Sequence, residues 1–304
     1  MRAYVISNPK AGRGSDGARL AAALRHAGLD AEVAVTEGPA HGVDLARSAR
    51  DRGEPLVVAA GGDGTVHEVV NGLLAPGGPS DPPILGVLPL GSGCDYVKTF
   101  GIPHDLAKAC AVIADPRPAV AVDAAEVTYT TPEGSRTRYL ANIAEVGIGP
   151  EVVDRAARLP RALGPALYLV AFWLVLPRYE RRRATVRIGA AAFDGRLTNL
   201  VVANARVFGG GMRVAPAADP ADGLLDVQVH TASKPDYVRN IGKVFKGTHL
   251  PHPRIAEFRG PVVEVTCDPP ALIEADGEVL GTTPATFRVL PGALRLKVGG
   301  TGLD

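Results

Sequence analysis

Glycines and a carboxylate occur together in the segment GGDGTVHE, Gly61–Glu68. Glycines let the backbone approach a bound group closely, and the free N–H groups at the start of a helix favour a phosphate. Asp63 lies inside this turn, where its charge would repel a phosphate unless a cation lies between them. The segment therefore predicts a phosphate-binding turn with Mg²⁺ beside Asp63. A tight turn capped by an aspartate is the simpler alternative.

Two further loops have the same character. NPKAGRG begins at Asn8 and carries Lys10, whereas LPLGSGCD carries a hydroxyl at Ser92 and a carboxylate at Asp95. The first of these loops has neither the spacing of the Walker P-loop nor that of the dinucleotide-binding fingerprint. All three loops follow apolar runs typical of parallel strands, and ligands bind at the carboxyl ends of such strands. Together they predict a nucleotide site.

The elements that hold these loops change in kind near residue 120. Before it, strand and helix patterns alternate with short connections, which is typical of a doubly wound parallel sheet. After it, short strand patterns separated by Gly, Pro and Asp turns predict an antiparallel β-sandwich-like domain with helical insertions. We therefore expect an α/β protein with a nucleotide domain over residues 1–120 and a β-rich domain over residues 121–304. The last strand is a candidate to return to the first domain.

Composition limits the classes of partner. The 304 residues carry a formal net charge of +1, which gives no indication of nucleic-acid binding. The cysteines Cys94, Cys110 and Cys267 are scattered, which favours a reducing compartment over a disulfide framework. The N-terminus has a strand pattern and no signal peptide precedes it, so we expect a cytoplasmic protein.

One apolar run, ALGPALYLVAFWLVL, covers Ala162–Leu176 and is followed by RYERRR, Arg178–Arg183. The run is shorter than the roughly 20 residues that span a bilayer. We expect it to form a buried helix. The alternative is a helix at a membrane interface with its basic end on anionic lipid, which would place the protein peripherally at the inner face of the membrane.

The motifs taken together resemble those of one family. NPKAG, GGDGTVHEVVNGL, LPLGSGCD, APAADPADGLLDV and EADGE run from Asn8 to Glu278 in the order of the diacylglycerol-kinase-type lipid kinases, which include bacterial diacylglycerol kinases and sphingosine and ceramide kinases. GGDGT alone is also shared with NAD kinases. The resemblance implies an ATP- and Mg²⁺-dependent enzyme whose first domain is the diacylglycerol kinase catalytic domain. It would transfer the γ-phosphate of ATP to a hydroxyl of diacylglycerol or a related lipid, in a cleft between a nucleotide domain and a lipid-substrate domain.

The resemblance also assigns residues. The nucleotide-binding set is Asn8, Pro9, Lys10, Thr36, Gly61, Gly62, Asp63, Gly64, Thr65, Ser92 and Asp95. The metal set is Asp63, Asp95 and Asp123 near the phosphates, with Asp219, Asp222 and Leu224 around a structural Mg²⁺. The catalytic carboxylates are Asp276 and Glu278, either of which could be the base, together with Asp63. The chain departs from the family where Ser92 replaces Thr and Cys94 replaces Asn, the second of which loses an amide hydrogen-bonding group.

Two other functions stay open. An NAD kinase-like phosphotransferase would need a later adenine-binding pattern, which the sequence lacks. A lipid-binding pseudoenzyme would have lost essential acids, yet Asp63, Asp95, Asp276 and Glu278 are present. The sequence does not select the lipid that is phosphorylated, and a homodimer would fit the family.

Overall fold

The computed structural model describes residues 2–12, 16–78, 82–91 and 93–300. Ser92, a predicted nucleotide-binding residue, lies outside the described residues. The described part forms two compact units. The first takes in Met1–Ala124 and Pro291–Asp304, and the second takes in Ala125–Leu290.

The first unit is built on a parallel sheet flanked by helices. Its strands, in the order β2-β1-β3-β4 across the sheet, are β1 (Arg2–Ser7), β2 (Asp30–Val35), β3 (Leu56–Gly61) and β4 (Ile84–Pro89). Its helices are α1 (Gly17–His26), α2 (His41–Asp51), α3 (Asp63–Leu73), α4 (Tyr96–Thr99) and α5 (Leu106–Ala114). The predicted doubly wound α/β arrangement is confirmed.

Local sequence explains this unit. All six residues of β3 are buried, because the strand is paired on both sides and covered on both faces. Helix α1 begins after Asp16, whose carboxylate accepts the N–H of Ala18 (3.1 Å) as an N-cap. Leu20 and Leu24 of that helix pack against the buried residues of the strands.

The second unit is antiparallel. Its strands are β5 (Val120–Thr131), β6 (Gly134–Leu140), β7 (Ile143–Gly147), β8 (Arg182–Ile188), β9 (Ala191–Leu197), β10 (Asn199–Ala203), β11 (Leu225–His230), β12 (Ile255–Gly260), β13 (Val262–Asp268), β14 (Leu272–Ala275) and β15 (Glu278–Leu296). Its helices are α6 (Ile148–Ala157), a 3₁₀ helix (Arg161–Ala166), α7 (Leu167–Val175) and α8 (Lys234–Lys246). Strands β5 and β15 each continue along the chain from one unit into the other.

The antiparallel strands enclose one apolar core. One layer follows the order β12-β11-β10-β7-β14-β15, while β13 joins β15 to the β8–β9 pair. Val146 and Val202 of the first layer belong to the same buried cluster as Val186 and Val265 of the second. This confirms the predicted β-sandwich-like fold with helical insertions. The end of β15 pairs in parallel with β4, where Arg295 lies opposite Ile84.

The expected burial of the apolar run is wrong. On α7 the side chains of Tyr168, Leu169 and Trp173 are 50%, 51% and 46% exposed, and only Ala171 is buried. Phe172 and Val175 of the same helix pack on a small apolar cluster. A helix apolar on every side has no polar face to turn outward, so packing one face leaves apolar side chains on the surface. In the described residues, no helix is long and apolar enough to cross a membrane.

Candidate active site

The three glycine-rich loops of the first unit join through their backbones at one edge of the sheet. The N–H of Asn8 donates to the carbonyl of Ala60 (3.1 Å), and the N–H of Leu90 donates to the carbonyl of Gly61 (2.9 Å). These bonds link the loops that follow β1, β3 and β4. The predicted convergence of the loops is therefore present in the structure.

Glycine is required where these loops approach most closely. A Cβ on Gly91 would lie 2.6 Å from the Cα of Gly62, and a Cβ on Gly12 would collide with the carbonyl oxygen of Leu90. Neither neighbour is a flexible side chain that could move aside. The glycines therefore allow three backbones to lie side by side without side chains between them.

The first loop is held by a local turn. Oδ1 of Asn8 accepts the N–H of Lys10 (2.9 Å), and the carbonyl of Asn8 accepts the N–H of Ala11 (3.0 Å). Pro9 and Lys10 are exposed beyond this turn. The buried Thr36 follows the neighbouring strand β2, and its N–H donates to the carbonyl of Ser7 (2.9 Å). The loop thus presents a lysine ammonium group at the carboxyl edge of the sheet.

Asp63 and Asp95 lie side by side. The carboxylate of Asp63 accepts the N–H of Asp95 (3.1 Å) and the N–H of Tyr96 (3.0 Å), so it ties the second loop to the third. Asp95 is buried and pairs with the ammonium group of Lys98 (2.6 Å). Two of the predicted phosphate-side acids are therefore adjacent, with a cation already beside one of them.

Thr65, in the first turn of α3, has an unused hydrogen-bonding group. Its hydroxyl is buried and has no hydrogen-bond partner among the described residues. A Cβ on Gly61 would collide with this hydroxyl, so the turn closes around it only with glycine there. Gly64, one residue before, is exposed at the same helix start. A buried hydroxyl beside a helix N-terminus fits a phosphate ligand.

Cys94 retains part of what the family's asparagine would supply. Its backbone has a φ of 46°, in the left-handed region. Burial, followed by repulsion from Asp63, raises the pKa of the thiol to about 11, so the thiol is protonated at neutral pH. Its Sγ lies 3.2 Å from the carbonyl oxygen of Gly91 and 3.7 Å from that of Gly61. The thiol thus donates weakly to both loops.

Asp123, the third predicted phosphate-side acid, lies on β5 and is buried. Its Oδ1 accepts the N–H of Gly292 on β15 (2.7 Å). This contact joins the parts of β5 and β15 that lie in the first unit, and it gives Asp123 a structural role whether or not a metal binds.

The two carboxylates of the late D-G-E segment have different surroundings. Asp276 has a φ of 51°, and its carboxylate accepts the N–H groups of Ala141 (3.1 Å), Asn142 (3.0 Å) and Ile143 (3.2 Å). Glu278, at the start of β15, is exposed. Asp276 therefore anchors the turn to the start of β7, whereas Glu278 projects from the surface of the second unit.

The segment DPADGLLD surrounds an arginine. Oδ1 of Asp219 and Oδ1 of Asp222 each accept the backbone N–H two residues further on (3.1 and 2.9 Å). Arg259 forms an ion pair with Asp222 and lies 3.4 Å from Asp226. Oδ2 of Asp226 is buried without a hydrogen-bond partner among the described residues, and burial raises the pKa of this carboxyl. Two acids thus share one guanidinium, and Asp219 is a third acid close enough to add to the rise in the pKa of Asp226.

Metal binding stays a prediction both beside Asp63 and Asp95 and in the segment DPADGLLD. In the ranges that the structure describes, no three His, Cys, Asp or Glu side chains gather closely enough to hold a metal ion. The predicted sets would complete their coordination with backbone carbonyls, water or phosphate, which are common partners of Mg²⁺.

Known proteins match nearly the whole chain. The profile of the "Diacylglycerol kinase catalytic domain" matches residues 2–144, and that of the "YegS C-terminal NAD kinase beta sandwich-like domain" matches residues 142–298. The chain is 30% identical over 299 residues to the protein named "Diacylglycerol kinase" in Mycobacterium tuberculosis (strain H37Rv), covering 96% of this chain and 93% of that protein. The chain belongs to the diacylglycerol kinase family of lipid kinases.

Further comparisons agree with this family. The kinase is 29% identical over 276 residues to "Probable lipid kinase YegS" of Escherichia coli O127:H6, covering 90% of this chain and 88% of that protein. A crystal structure of a diacylglycerol kinase from Bacillus anthracis has a TM-score of 0.72 at 19% identity, over 98% of this chain and 97% of that one. Yeast NADH kinase has a TM-score of 0.55 at 12% identity, over 99% and 84% of the two chains. The two structures show a shared fold.

The role of one residue of the kinase, Glu68, which caps helix α2, was not predicted from the sequence. Helix α2 begins after Ala40, which has a φ of 64° and no capping side chain of its own. Glu68 of α3 supplies the acceptors, because its Oε1 accepts the N–H of Ala40 and its Oε2 the N–H of Gly42, both at 2.9 Å. Where a helix begins without Ser, Thr, Asp or Asn at its N-cap, another part of the chain is expected to supply the acceptor for its first N–H groups.

Proposed function

We propose that this kinase uses ATP with Mg²⁺ and transfers the γ-phosphate to a hydroxyl of diacylglycerol or a related lipid. The observation that carries the proposal is the backbone contact of three glycine-rich loops at the carboxyl edge of β1, β3 and β4. Ligands of doubly wound sheets bind at such an edge. The start of α3 and the hydroxyl of Thr65 suit an anionic phosphate. Membership of a lipid kinase family supports a lipid as the acceptor.

The metal assignments fit the donors that are present. Asp63 and Asp95, with Asp123, would hold Mg²⁺ beside the phosphates, since carboxylate oxygens are the ligands it prefers. Mg²⁺ would neutralise the charge that develops on the transferring phosphoryl group. At the second place Asp219, Asp222 and the carbonyl of Leu224 would hold a structural Mg²⁺. The buried, unpartnered oxygen of Asp226 supports a cation there.

The transfer itself needs one proton acceptor. The lipid hydroxyl oxygen bonds to the γ-phosphorus, the bond from that phosphorus to the β,γ-bridging oxygen breaks, and ADP leaves. The hydroxyl proton passes to a carboxylate. We assign this role to Glu278, because three backbone N–H groups already engage the carboxylate of Asp276. The meeting of this turn with the GGDGT loop in a cleft between the domains stays a prediction.

A lipid acceptor also requires contact with a membrane. The exposed face of α7, formed by Tyr168, Leu169 and Trp173, is the surface that we assign to it. Arg178 and Arg181 follow this helix and are exposed. Apolar side chains would enter the interface while the arginines meet anionic headgroups. Arg182 and Arg183, which the sequence grouped with them, already pair with Glu151 (3.0 Å) and Asp194 (3.1 Å).

ATP consumption tests the acceptor directly. The purified kinase is supplied in turn with diacylglycerol, sphingosine, ceramide and NAD⁺, each with Mg²⁺ and again with excess chelator. We expect Mg²⁺-dependent ADP release with a lipid and none with NAD⁺. Phosphorylation of NAD⁺ alone would indicate the NAD kinase-like alternative. A folded protein that consumes no ATP with any of the four acceptors would indicate a lipid-binding pseudoenzyme.

A matched pair of variants tests the site. Asp63→Asn should lose activity by orders of magnitude, since the carboxylate that joins two phosphate-side loops loses its charge. Asp44→Asn is the control, because Asp44 is exposed on α2. Equal activity of the two folded variants would contradict the assigned role of Asp63.

A further inference from the structure

Two glutamates face each other inside the second unit. Glu145 on β7 and Glu274 on β14 are direct cross-strand partners, so their side chains lie on the same face of the sheet. Glu274 is fully buried and Glu145 is partly buried. Cross-strand partners have Cβ atoms roughly 4.5–5.5 Å apart. Two carboxylates at that separation would repel each other strongly away from water.

Each carboxyl group accepts a hydrogen bond from a neighbour of its own. The N–H of Gly277 donates to Oε2 of Glu274 (2.8 Å), and the side-chain amide of Asn199 donates to Oε1 of Glu145 (2.7 Å). Asn199 in turn accepts the N–H of Gly149 at the start of α6 (3.2 Å). The pairing of Glu145 with Glu274 across the two strands places these two sets of contacts side by side, one at the start of α6 and the other at the glycine between Asp276 and Glu278.

No positive charge compensates the pair in the described part of the chain. Neither glutamate forms an ion pair there, and Oε1 of Glu274 is buried without a hydrogen-bond partner. Helix α6 packs on both strands. Arg182 pairs with Glu151 of this helix and not with Glu145 or Glu274. The titratable groups that do face the pair are acids. Tyr237 of α8 lies near Glu145 and also near Tyr179. Asp276 lies near Glu274.

These surroundings favour protonation of one carboxyl group. Burial raises the pKa of Glu145 to about 7, although the amide of Asn199 opposes the shift. Burial also raises the pKa of Glu274 well above its usual value, and repulsion from Glu145 adds to the effect. A proton on one of the two groups removes that repulsion.

We propose that Glu145 and Glu274 hold one proton between them and act as positioning residues for the Asp276–Glu278 turn. Oε1 of Glu274 is the buried oxygen without a partner, so it is the atom to which we assign the proton. Glu274 then stays in place to accept the N–H of Gly277. Loss of the proton would leave two like charges on facing strands and push Glu274 away from the turn. The catalytic importance of this turn rests on the proposed function.

Infrared difference spectroscopy tests the shared proton without any substrate. At pH 6 the wild-type protein should show the C=O band of a buried, protonated carboxyl group, and Glu274→Gln should lose it. Glu257→Gln, at an exposed position on β12, should keep it. The absence of the band from the wild-type spectrum, or its persistence in both Glu274→Gln and Glu145→Gln, would overturn the proposal.

Thermal unfolding gives a second readout. The folded-state pKa of Glu145 is raised, so its contribution to stability is fully present below the unfolded pKa of about 4.3 and is lost as the pH rises through about 7. The Tm of the wild-type protein should fall across this window. Glu274→Gln and Glu145→Gln should flatten the fall, and Glu257→Gln should not. Identical pH profiles of all four proteins would contradict a shared proton.

Kinetics tests the positioning role. Above neutral pH the kcat of the wild-type enzyme should fall by up to about tenfold per pH unit, with little change in KM for ATP. Glutamine at position 274 can accept from Gly277 and donate to Glu145, so Glu274→Gln should keep activity and lose the alkaline fall, whereas Glu274→Ala should lose activity. An unchanged alkaline fall in Glu274→Gln would overturn the positioning role. A wild-type protein with the carboxyl band but no lipid kinase activity would instead count against the proposed function.

Discussion

Asp276 and Glu278 are separated by one glycine, yet their carboxylates do different things. Three backbone N–H groups engage Asp276, and its left-handed backbone is strained for a residue with a Cβ. Such a conformation persists only where surrounding contacts hold it. Glu278 is exposed and begins a long strand. The sequence presented two equivalent acids, and the hydrogen bonds distinguish the anchored Asp276 from the exposed Glu278, to which we assign the role of proton acceptor.

Substitution separates these two roles. Glu278→Gln should lower kcat by about 10²-fold or more while the Tm stays unchanged, because the amide cannot take up the hydroxyl proton. Asp276→Asn should lower the free energy of unfolding by about 1–3 kcal/mol, because its NH₂ group would replace an acceptor that faces backbone N–H groups. Denaturant unfolding and initial rates measure both. Glu264→Gln, exposed on β13, is the control. A fully active Glu278→Gln would exclude Glu278 as the base.

Cys94 offers a second test at the residue scale. Asparagine adopts the left-handed region more readily than cysteine, and its amide is a stronger donor than a thiol. Cys94→Asn should therefore raise the free energy of unfolding by about 1 kcal/mol and leave kinase activity intact. Cys110→Asn is a contrasting variant, because Cys110 packs in the apolar core of the first unit and should be destabilised by an amide. A loss of stability in Cys94→Asn would show that the thiol fits the loops better than the amide.

At the scale of elements, helix α2 depends on helix α3. The motif GGDGTVHE carries its phosphate-side residues at one end and the cap of α2 at the other, in Glu68. The cap fixes the start of α2 and so the loop that follows Thr36. One short segment thus positions residues that follow two different strands.

Removing this cap should destabilise the first unit. Glu68→Ala leaves the N–H groups of Ala40 and Gly42 without their acceptor, which costs about 1–2 kcal/mol of stability. Glu68→Gln keeps one of the two acceptor oxygens, so its stability should lie between that of the wild-type protein and that of Glu68→Ala. Glu37→Ala, exposed before α2, is the control. Equal unfolding midpoints for Glu68→Ala and the control would contradict the capping role.

Helix α7 gives the other prediction at this scale. Replacing Leu169 and Trp173 with Ser should weaken binding to anionic vesicles while the Tm changes little, because both side chains are about half exposed. Arg178→Ala with Arg181→Ala should weaken it further, by about 1 kcal/mol for each arginine. Phe172→Ser is the contrasting variant, since Phe172 packs inward and its loss should lower the Tm. Vesicle sedimentation measures the binding, and unchanged sedimentation of the Leu169/Trp173 variant would contradict the membrane role.

At the scale of the molecule, the sequence predicts those features of the fold that follow from local hydrophobic periodicity and from the direction of parallel strands. The run LVVAA predicts a buried parallel strand, and parallel strands bring their following loops to one edge, so the meeting of the glycine-rich loops could be foreseen. The exposure of Trp173 could not, because apolar composition does not separate a core from a membrane-facing surface. The pairing of Glu145 with Glu274 could not either, since it depends on which distant strands become neighbours.

The return of β15 to the first unit determines when that unit can be completed during synthesis. The free edge of β4 acquires its partner only at Arg295 and Leu296, which follow the whole second unit along the chain. While the ribosome is still making the second unit, β4 therefore presents an unpaired edge that can join another strand. A fragment that stops at residue 290 keeps every glycine-rich loop but leaves that edge open permanently. The nascent first unit consequently depends on residues that are translated after the whole second unit for protection of this edge against aggregation.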